Sequence, residues 1–277
     1  MEIDIVNPEI LREVQLVQLE ILLEFDRIAK RENIHYQLFS GTLLGAIRHK
    51  GFIPWDDDID IAIDRNDYEK FCLIAEKNLD NNFFLQSYKT DKNFYRQFSR
   101  LRKDNTKYLQ IRYKDIDMHH GIFIDLFPMD CVKLNNLGEW IRCKILFCTS
   151  KINHVRNQKN KKWPFPRNIL AAFIRLTNLV INKNNFEKLE TALMKIFNSE
   201  KTDFLNHLTN GVTKTRFQEY LISKKDFYDT IDWEFEGYKF PIPRNYDKYL
   251  TSIYGDYKSL PPLSERKPHH GVAEITL

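Results

Sequence analysis

With 277 residues, 43% hydrophobic and 29% charged, the chain has the composition of a soluble globular protein, long enough for one large domain or two small ones. A net charge of +4 is too weak to imply nucleic-acid binding, and it fits a protein that handles anionic phosphates. No uncharged apolar run is long enough to cross a bilayer, and MEIDIVNPEILREVQ lacks the basic-then-apolar layout of a signal peptide. Four cysteines without a C-x-x-C pair suit free thiols in a reducing compartment. The expectation is a cytoplasmic protein, with peripheral contact at the inner face of the cell membrane left open.

Apolar residues at helical spacing predict a helix from Pro8 to Glu32, with Asn7 as its N-cap. HYQLFS (35–40) reads as a strand that ends at Gly41, and Thr42 to Arg48 resumes a helical period. HKGFIPWDDD is a loop, IDIAI (59–63) the next strand, and 66–79 an amphipathic helix. FFLQSY, QFSRLRKD and GIFIDLFPMD add strands, so residues 1–133 alternate helix with strand as a catalytic core would. Residues 134–229 read as mainly helical, with a basic linker KINHVRNQKNKKWPFPR between two helices. Residues 230–277 read as a hairpin turning at Glu236-Gly237, a helix over 245–254, and a tail packing back on the core. The fold class expected is α+β, a mixed sheet flanked by helices with a mainly helical C-terminal half.

Four aspartates crowd the entrance to the second strand. Alternation along a strand points Asp58 and Asp60 one way and Ile59 and Ile61 into the core. Two carboxylates on one face repel unless a cation lies between them, and Mg²⁺, or Mn²⁺ in its place, prefers such hard oxygen ligands. Asp125 is a lone acid in the apolar run IFIDLF, and completes a three-carboxylate cluster if the two strands are neighbours. Asp56 and Asp57 read instead as loop or cap acids. Gly41 and Thr42 stand where a strand gives way to a helix, where free N–H groups and a positive dipole end would cradle phosphate; an ordinary turn capped by Thr42 would be the reading without the downstream aspartates, and with them phosphate donors and metal ligands converge.

The stretch SGTLLGAIRHKGFIPWDDDID resembles the signature of the LicD family, related to the fukutin-type phosphotransferases, and HHGIFIDLFPMD resembles its second block. YLTSIYGDYKSLPP followed by SERKPHH is similar to its C-terminal block. The resemblance implies a nucleotidyltransferase-like fold in which Gly41 and Thr42 follow the first strand, Asp58 and Asp60 open the second, and Asp125 lies on a later one. It also implies transfer of a phosphorylated alcohol, typically phosphocholine from CDP-choline, onto a glycan or lipid-linked glycan of the cell surface: teichoic acid, lipopolysaccharide or capsule. The zinc-binding insert of the fukutin-type relatives has no counterpart here.

On this reading a glycan hydroxyl attacks the phosphocholine phosphorus and CMP leaves, with Asp58, Asp60 and Asp125 as catalytic metal ligands. The hydroxyl proton passes to Asp125, to solvent or to metal-bound hydroxide. Arg48, His49 and Lys50, with Arg100 and Arg102 on one strand face, are phosphate-binding candidates for which a surface role is equally compatible. A quaternary ammonium would be held by aromatic faces, with Trp55, Tyr249, Tyr254 and Tyr257 as candidates and His269 and His270 within reach from the tail. The basic, aromatic segment from Lys151 to Val180 suits an anionic membrane surface or a plain solvated loop before a core helix. Other CDP-alcohols (ethanolamine, glycerol, ribitol), a nucleotidyltransferase using an NTP, and a degenerate membrane-associated assembly subunit are the alternatives.

Overall fold

The computed structural model describes residues 7–158, 164–176, 183–209 and 211–277. In chain order the elements are α1 (Pro8–Arg31), β1 (Tyr36–Leu38), α2 (Ser40–His49), β2 (Asp60–Asp64), α3 (Arg65–Asn78), β3 (Phe83–Gln86), β4 (Ser99–Lys103), β5 (Lys107–Gln110) and β6 (Phe123–Val132). There follow α4 (Leu137–Asn157), α5 (Arg167–Leu176), α6 (Lys183–Lys195), β7 (Phe204–Asn206), α7 (Lys214–Glu219), β8 (Ile222–Ser223), α8 (Lys224–Tyr228), β9 (Thr230–Phe235), β10 (Tyr238–Pro243), α9 (Tyr246–Tyr254) and β11 (Val272–Thr276). The fold is α+β, as the alternation predicts.

The main sheet runs β1-β2-β6-β4-β3, and β7 extends it from the far end of β6 to β8. The pairing of β2 with β6 is parallel and the others are antiparallel. Ile61, Ala62 and Ile63 are all buried, as a central strand covered on both faces requires. The N-terminal helix is set by its apolar stripe and its cap: the Asn7 side chain accepts from the Glu9 N–H at 2.9 Å, and Pro8 occupies the first turn. Phe25 on that stripe meets Tyr36 edge-on and Phe71 tilted, both at 4.9 Å. Truncating Phe25 to Ala would cost about 3–5 kcal/mol.

One core of buried apolar side chains extends from Leu11 to Val272, and a smaller cluster (Val132, Leu146, Met194, Leu208, Val212) lies under the helical region. The hairpin β9–β10 turns at Glu236-Gly237, both with positive φ, as predicted. The C-terminal residues are more ordered than a tail: β11 pairs antiparallel with β5, setting Val272 opposite Gln110. That pairing delivers His269 and His270 to the entrance of β2. Of the basic linker, residues 159–163 lie outside the described residues, as do residues 177–182 of the region 134–229 that reads as mainly helical.

Candidate active site

Parallel pairing of β2 with β6 sets Asp60 directly opposite Asp125, and the Asp125 N–H donates to the Ile59 carbonyl at 2.8 Å. Asp58 stands two residues earlier on the same side. One carboxylate oxygen from each of Asp58, Asp60 and Asp125 lies within 4.8 Å of the others. Burial first, then the negative field of Asp56, Asp57 and Asp125, pushes the Asp58 carboxyl well above the ordinary range, offset only in part by His270. Asp60 is pushed well above it for the same reasons, burial and then Asp58 and Asp125. Three crowded acids served by one arginine form an all-oxygen donor set short of positive charge, which is the chemistry of a divalent hard cation site.

Two further acids complicate this picture. Asp56 and Asp57 lie in the loop as expected, but they are not solvated: Asp56 is 5% exposed and Asp57 fully buried. Asp57 accepts from the Tyr108 hydroxyl at 2.6 Å, from the His269 and His270 backbone N–H groups at 3.1 Å each, and contacts His270 Nδ1 at 3.2 Å. Burial alone would raise its proton affinity, yet the bonds from His270, Tyr108 and His269 hold it below the usual carboxylate range. Asp57 thus fastens the C-terminal strand to the acidic loop. Asp56, buried beside Asp57 and lacking comparable donors, is pushed up to about 7.

The frame around the acids comes from three elements. Thr42 does not cap α2; its hydroxyl accepts the Asp60 N–H at 2.8 Å and fixes the start of β2. Gly41 lies against Asp56, where a Cβ would come within 2.9 Å of Oδ2. Gly41 and Thr42 lie in the first turn of α2, whose leading N–H groups have no partner within the helix. From α1, Gln15 Nε2 donates to the Asp56 carbonyl at 2.9 Å and Gln18 Nε2 to that of Asp57 at 2.8 Å. Both are buried on α1 among mainly apolar side chains, and polar residues at such positions are a signal that the sequence could have offered.

The basic candidates fare differently from their expectation. Arg100 is 2% exposed and grips Asp125 with two bonds, Nε to Oδ1 at 2.7 Å and Nη2 to Oδ2 at 3.3 Å; its Nη1 donates to Gln110. Its partners are thus Asp125 and Gln110. Arg102 is buried too, spent on Gln86 Oε1 and the Gly121 carbonyl, and burial beside Arg100 drives its proton affinity well below that of a free guanidinium. Lys50 lies at the opposite end of α2 from Gly41 and faces Glu234 at 3.8 Å from an exposed position. Arg48 donates to the carbonyls of Tyr257 and Ser259, anchoring the C-terminal block. His49 packs edge-on against Trp55 at 6.3 Å.

Among the aromatics, Trp55 already carries the Arg266 guanidinium over its ring at 5.5 Å. Tyr257 is buried and bonded to Asp247. Tyr254, by contrast, reaches the first turn of α2, its hydroxyl 3.2 Å from Ser40 Oγ. Nearby Phe39 is ringed by His207, Tyr220 and Tyr249 at 5.7–5.9 Å. The Tyr249 hydroxyl is buried without a hydrogen-bond partner. Tyr220 and His207 escaped the sequence reading because they come from β7 and its surroundings, a short strand with no strong periodicity.

Residues 33–142, from β1 into α4 and including all the clustered acids, match the family described as LicD/FKTN/FKRP, nucleotidyltransferase domain. The chain is 30% identical over 272 residues to the lipopolysaccharide cholinephosphotransferase LicD of Haemophilus influenzae, covering 94% of this chain and 96% of that protein. Shorter stretches are 46% identical to proteins of Rickettsia typhi, over 55 residues, and Rickettsia prowazekii, over 48 residues. Together with the acid-bearing strand pair, the near full-length match places this chain in the LicD family.

Proposed function

We propose that this protein transfers phosphocholine from CDP-choline to a hydroxyl of a cell-surface glycan, with lipopolysaccharide as the first acceptor to test, and releases CMP. The observation that carries the reading is the convergence of Asp58, Asp60 and Asp125 beside the N-terminus of α2. The relative along nearly the whole chain, named a lipopolysaccharide cholinephosphotransferase, supports the choice of group and acceptor. Asp58, Asp60 and Asp125 would hold Mg²⁺ or Mn²⁺, which when bound neutralises charge on the diphosphate and on the leaving phosphate.

In the reaction the acceptor oxygen forms a bond to the phosphocholine phosphorus while the bond to the CMP phosphate breaks. The free N–H groups at Gly41 and Thr42 are oriented to hold phosphate oxygens. Asp125 is the less available acceptor for the hydroxyl proton, because both its oxygens already take bonds from Arg100. Asp58, half-buried and without an arginine partner, is the better one. Tyr254 and Tyr220 present partly open rings near the acids, suited to a quaternary ammonium.

The test is incubation with CDP-choline, CDP-ethanolamine, CDP-glycerol, CDP-ribitol and an NTP, each with and without Mg²⁺, with a lipopolysaccharide acceptor. Metal-dependent CMP release fastest with CDP-choline is the expected result. Preference for another CDP-alcohol would reassign the donor, turnover of the NTP alone would make the protein a nucleotidyltransferase, and no turnover would leave an assembly role.

A further inference from the structure

We propose that the outer faces of α4 and α5 form a docking surface for an anionic lipid bilayer. The inference stands apart from the donor chemistry above. Large apolar side chains left in the open concentrate here. Leu137, Trp140, Ile141 and Ile145 are exposed on α4 at helical spacing, while Glu139, Arg142 and Leu146 of the same helix are buried. On α5, Ile169, Leu170, Phe173 and Leu176 are 58–70% exposed and Ala171 turns inward, with Phe165 just ahead at 78%. The α5 stripe has no partner among the described residues to account for it, the α4 stripe is faced only in part, across an open cavity, and a run of this size on the surface marks a binding face.

Charge says what covers it. Between Trp140 and Phe186 the sequence holds ten Lys and Arg and no Asp or Glu, although the rest of the chain carries more acids than bases; two of the ten, Arg142 (paired with Glu139) and Arg156, are buried and add nothing to the surface charge. Lys144, Lys151 and Arg167 are exposed beside the apolar stripes, and Lys144 Nζ lies 5.0 Å from the centre of the Trp140 ring. Apolar side chains with cations alongside match the acyl boundary and anionic headgroups of a bilayer surface. A second copy of the chain fits less well, since a two-fold contact would set the same uncompensated cations of both copies against each other. Nucleic acid would use the cations and leave the aliphatic face bare. Trp140, Leu137 and Lys144 also form one wall of an apolar cavity of about 860 Å³, closed on the other side by Val212, Phe217 and Leu221. No described helix is long and apolar enough to cross a membrane, so the contact is with a surface.

The experiment is co-sedimentation of the full chain with vesicles of phosphatidylcholine alone and of phosphatidylcholine with roughly one-third phosphatidylglycerol, at low and high salt. Binding to the anionic vesicles that weakens with salt is expected. The double change Ile169→Ser with Phe173→Ser should lower partitioning by at least about tenfold, and Lys144→Gln with Lys151→Gln by roughly tenfold. Near-UV circular dichroism checks the fold, and if the serine variant is misfolded the exposed lysine pair decides alone. Vesicle binding that is absent, indifferent to phosphatidylglycerol or untouched by the lysine changes overturns the proposal. A dimer in light scattering that Phe173→Ser dissociates also overturns it, and makes a second copy the occupant.

Discussion

Strand β6 carries two buried aspartates, five residues apart, whose surroundings are opposite in kind. Asp130 takes two bonds from Arg65, at 2.8 and 2.6 Å, and a third from Asn198 at 2.8 Å, with no other acid in its cluster. Asp125 also holds an arginine, but it shares its end of the strand with Asp58 and Asp60, which have none. Burial of an acid is therefore no sign of function. The distinguishing feature is negative charge left over after every protein partner is counted, because a fold keeps such charge only if something outside the chain neutralises it.

The contrast can be broken most sharply at the acids themselves. Changing Asp58 or Asp60 to Asn should cut CMP release by about 100–1000-fold or more, without unfolding the protein. Changing Asp130 to Ala strands the Arg65 charge in the core and should cost about 3–5 kcal/mol of stability in denaturant melts. Activity per folded molecule should then stay near wild type. If instead Asp130→Ala abolished turnover in folded protein, or Asp60→Asn left it intact, the two ends of β6 would have been assigned the wrong way round.

Arg100 offers an intermediate case. Lys in its place keeps the charge but not the paired bonds to Asp125, so metal affinity should fall roughly 10–100-fold by equilibrium titration.

The smallest effect is on pH dependence. In metal-free protein the raised carboxyls of Asp58 and Asp60, and of Asp56 at about 7, keep protons that the unfolded chain loses near its ordinary carboxylate value. The folded state then binds more protons, so this contribution to stability falls as pH rises above that value, through about 7 for Asp56. On the proposed reading, bound Mg²⁺ would replace those protons. Its effect on the melting temperature should accordingly be larger near pH 8 than near pH 5, and Asp60→Asn should stabilise the metal-free protein at the higher pH. An increment independent of pH would contradict the assignment.

Much of this was legible in the sequence, and the reasons are physical. The strand and helix periods located α1, α2, α3, β2 and the β9–β10 hairpin within a few residues, because each helix buries one face, β2 is a short apolar run bounded by acids, and the hairpin turns on residues with positive φ. The D-x-D at the entrance of β2 and the lone acid of β6 could be paired because alternation fixes which side chains share a face. What escaped notice were contacts between residues far apart in the chain. Nothing in KYLQ or VAEIT says that β5 and β11 pair, so Asp57 read as a loop acid when it ties Tyr108 to the histidines of the tail. Arg100 read as a phosphate ligand because a strand arginine shows its charge in a sequence but not its partner. Short strands such as β7 left Tyr220 and His207 invisible beside the site.

The most direct test of the central claim is titration with Mn²⁺, followed by electron paramagnetic resonance, of wild type, Asp60→Asn and Asp130→Asn at neutral pH. The account predicts saturable Mn²⁺ binding in wild type, its loss in Asp60→Asn, and its retention in folded Asp130→Asn. Equal binding by wild type and Asp60→Asn, or none by wild type, would contradict it.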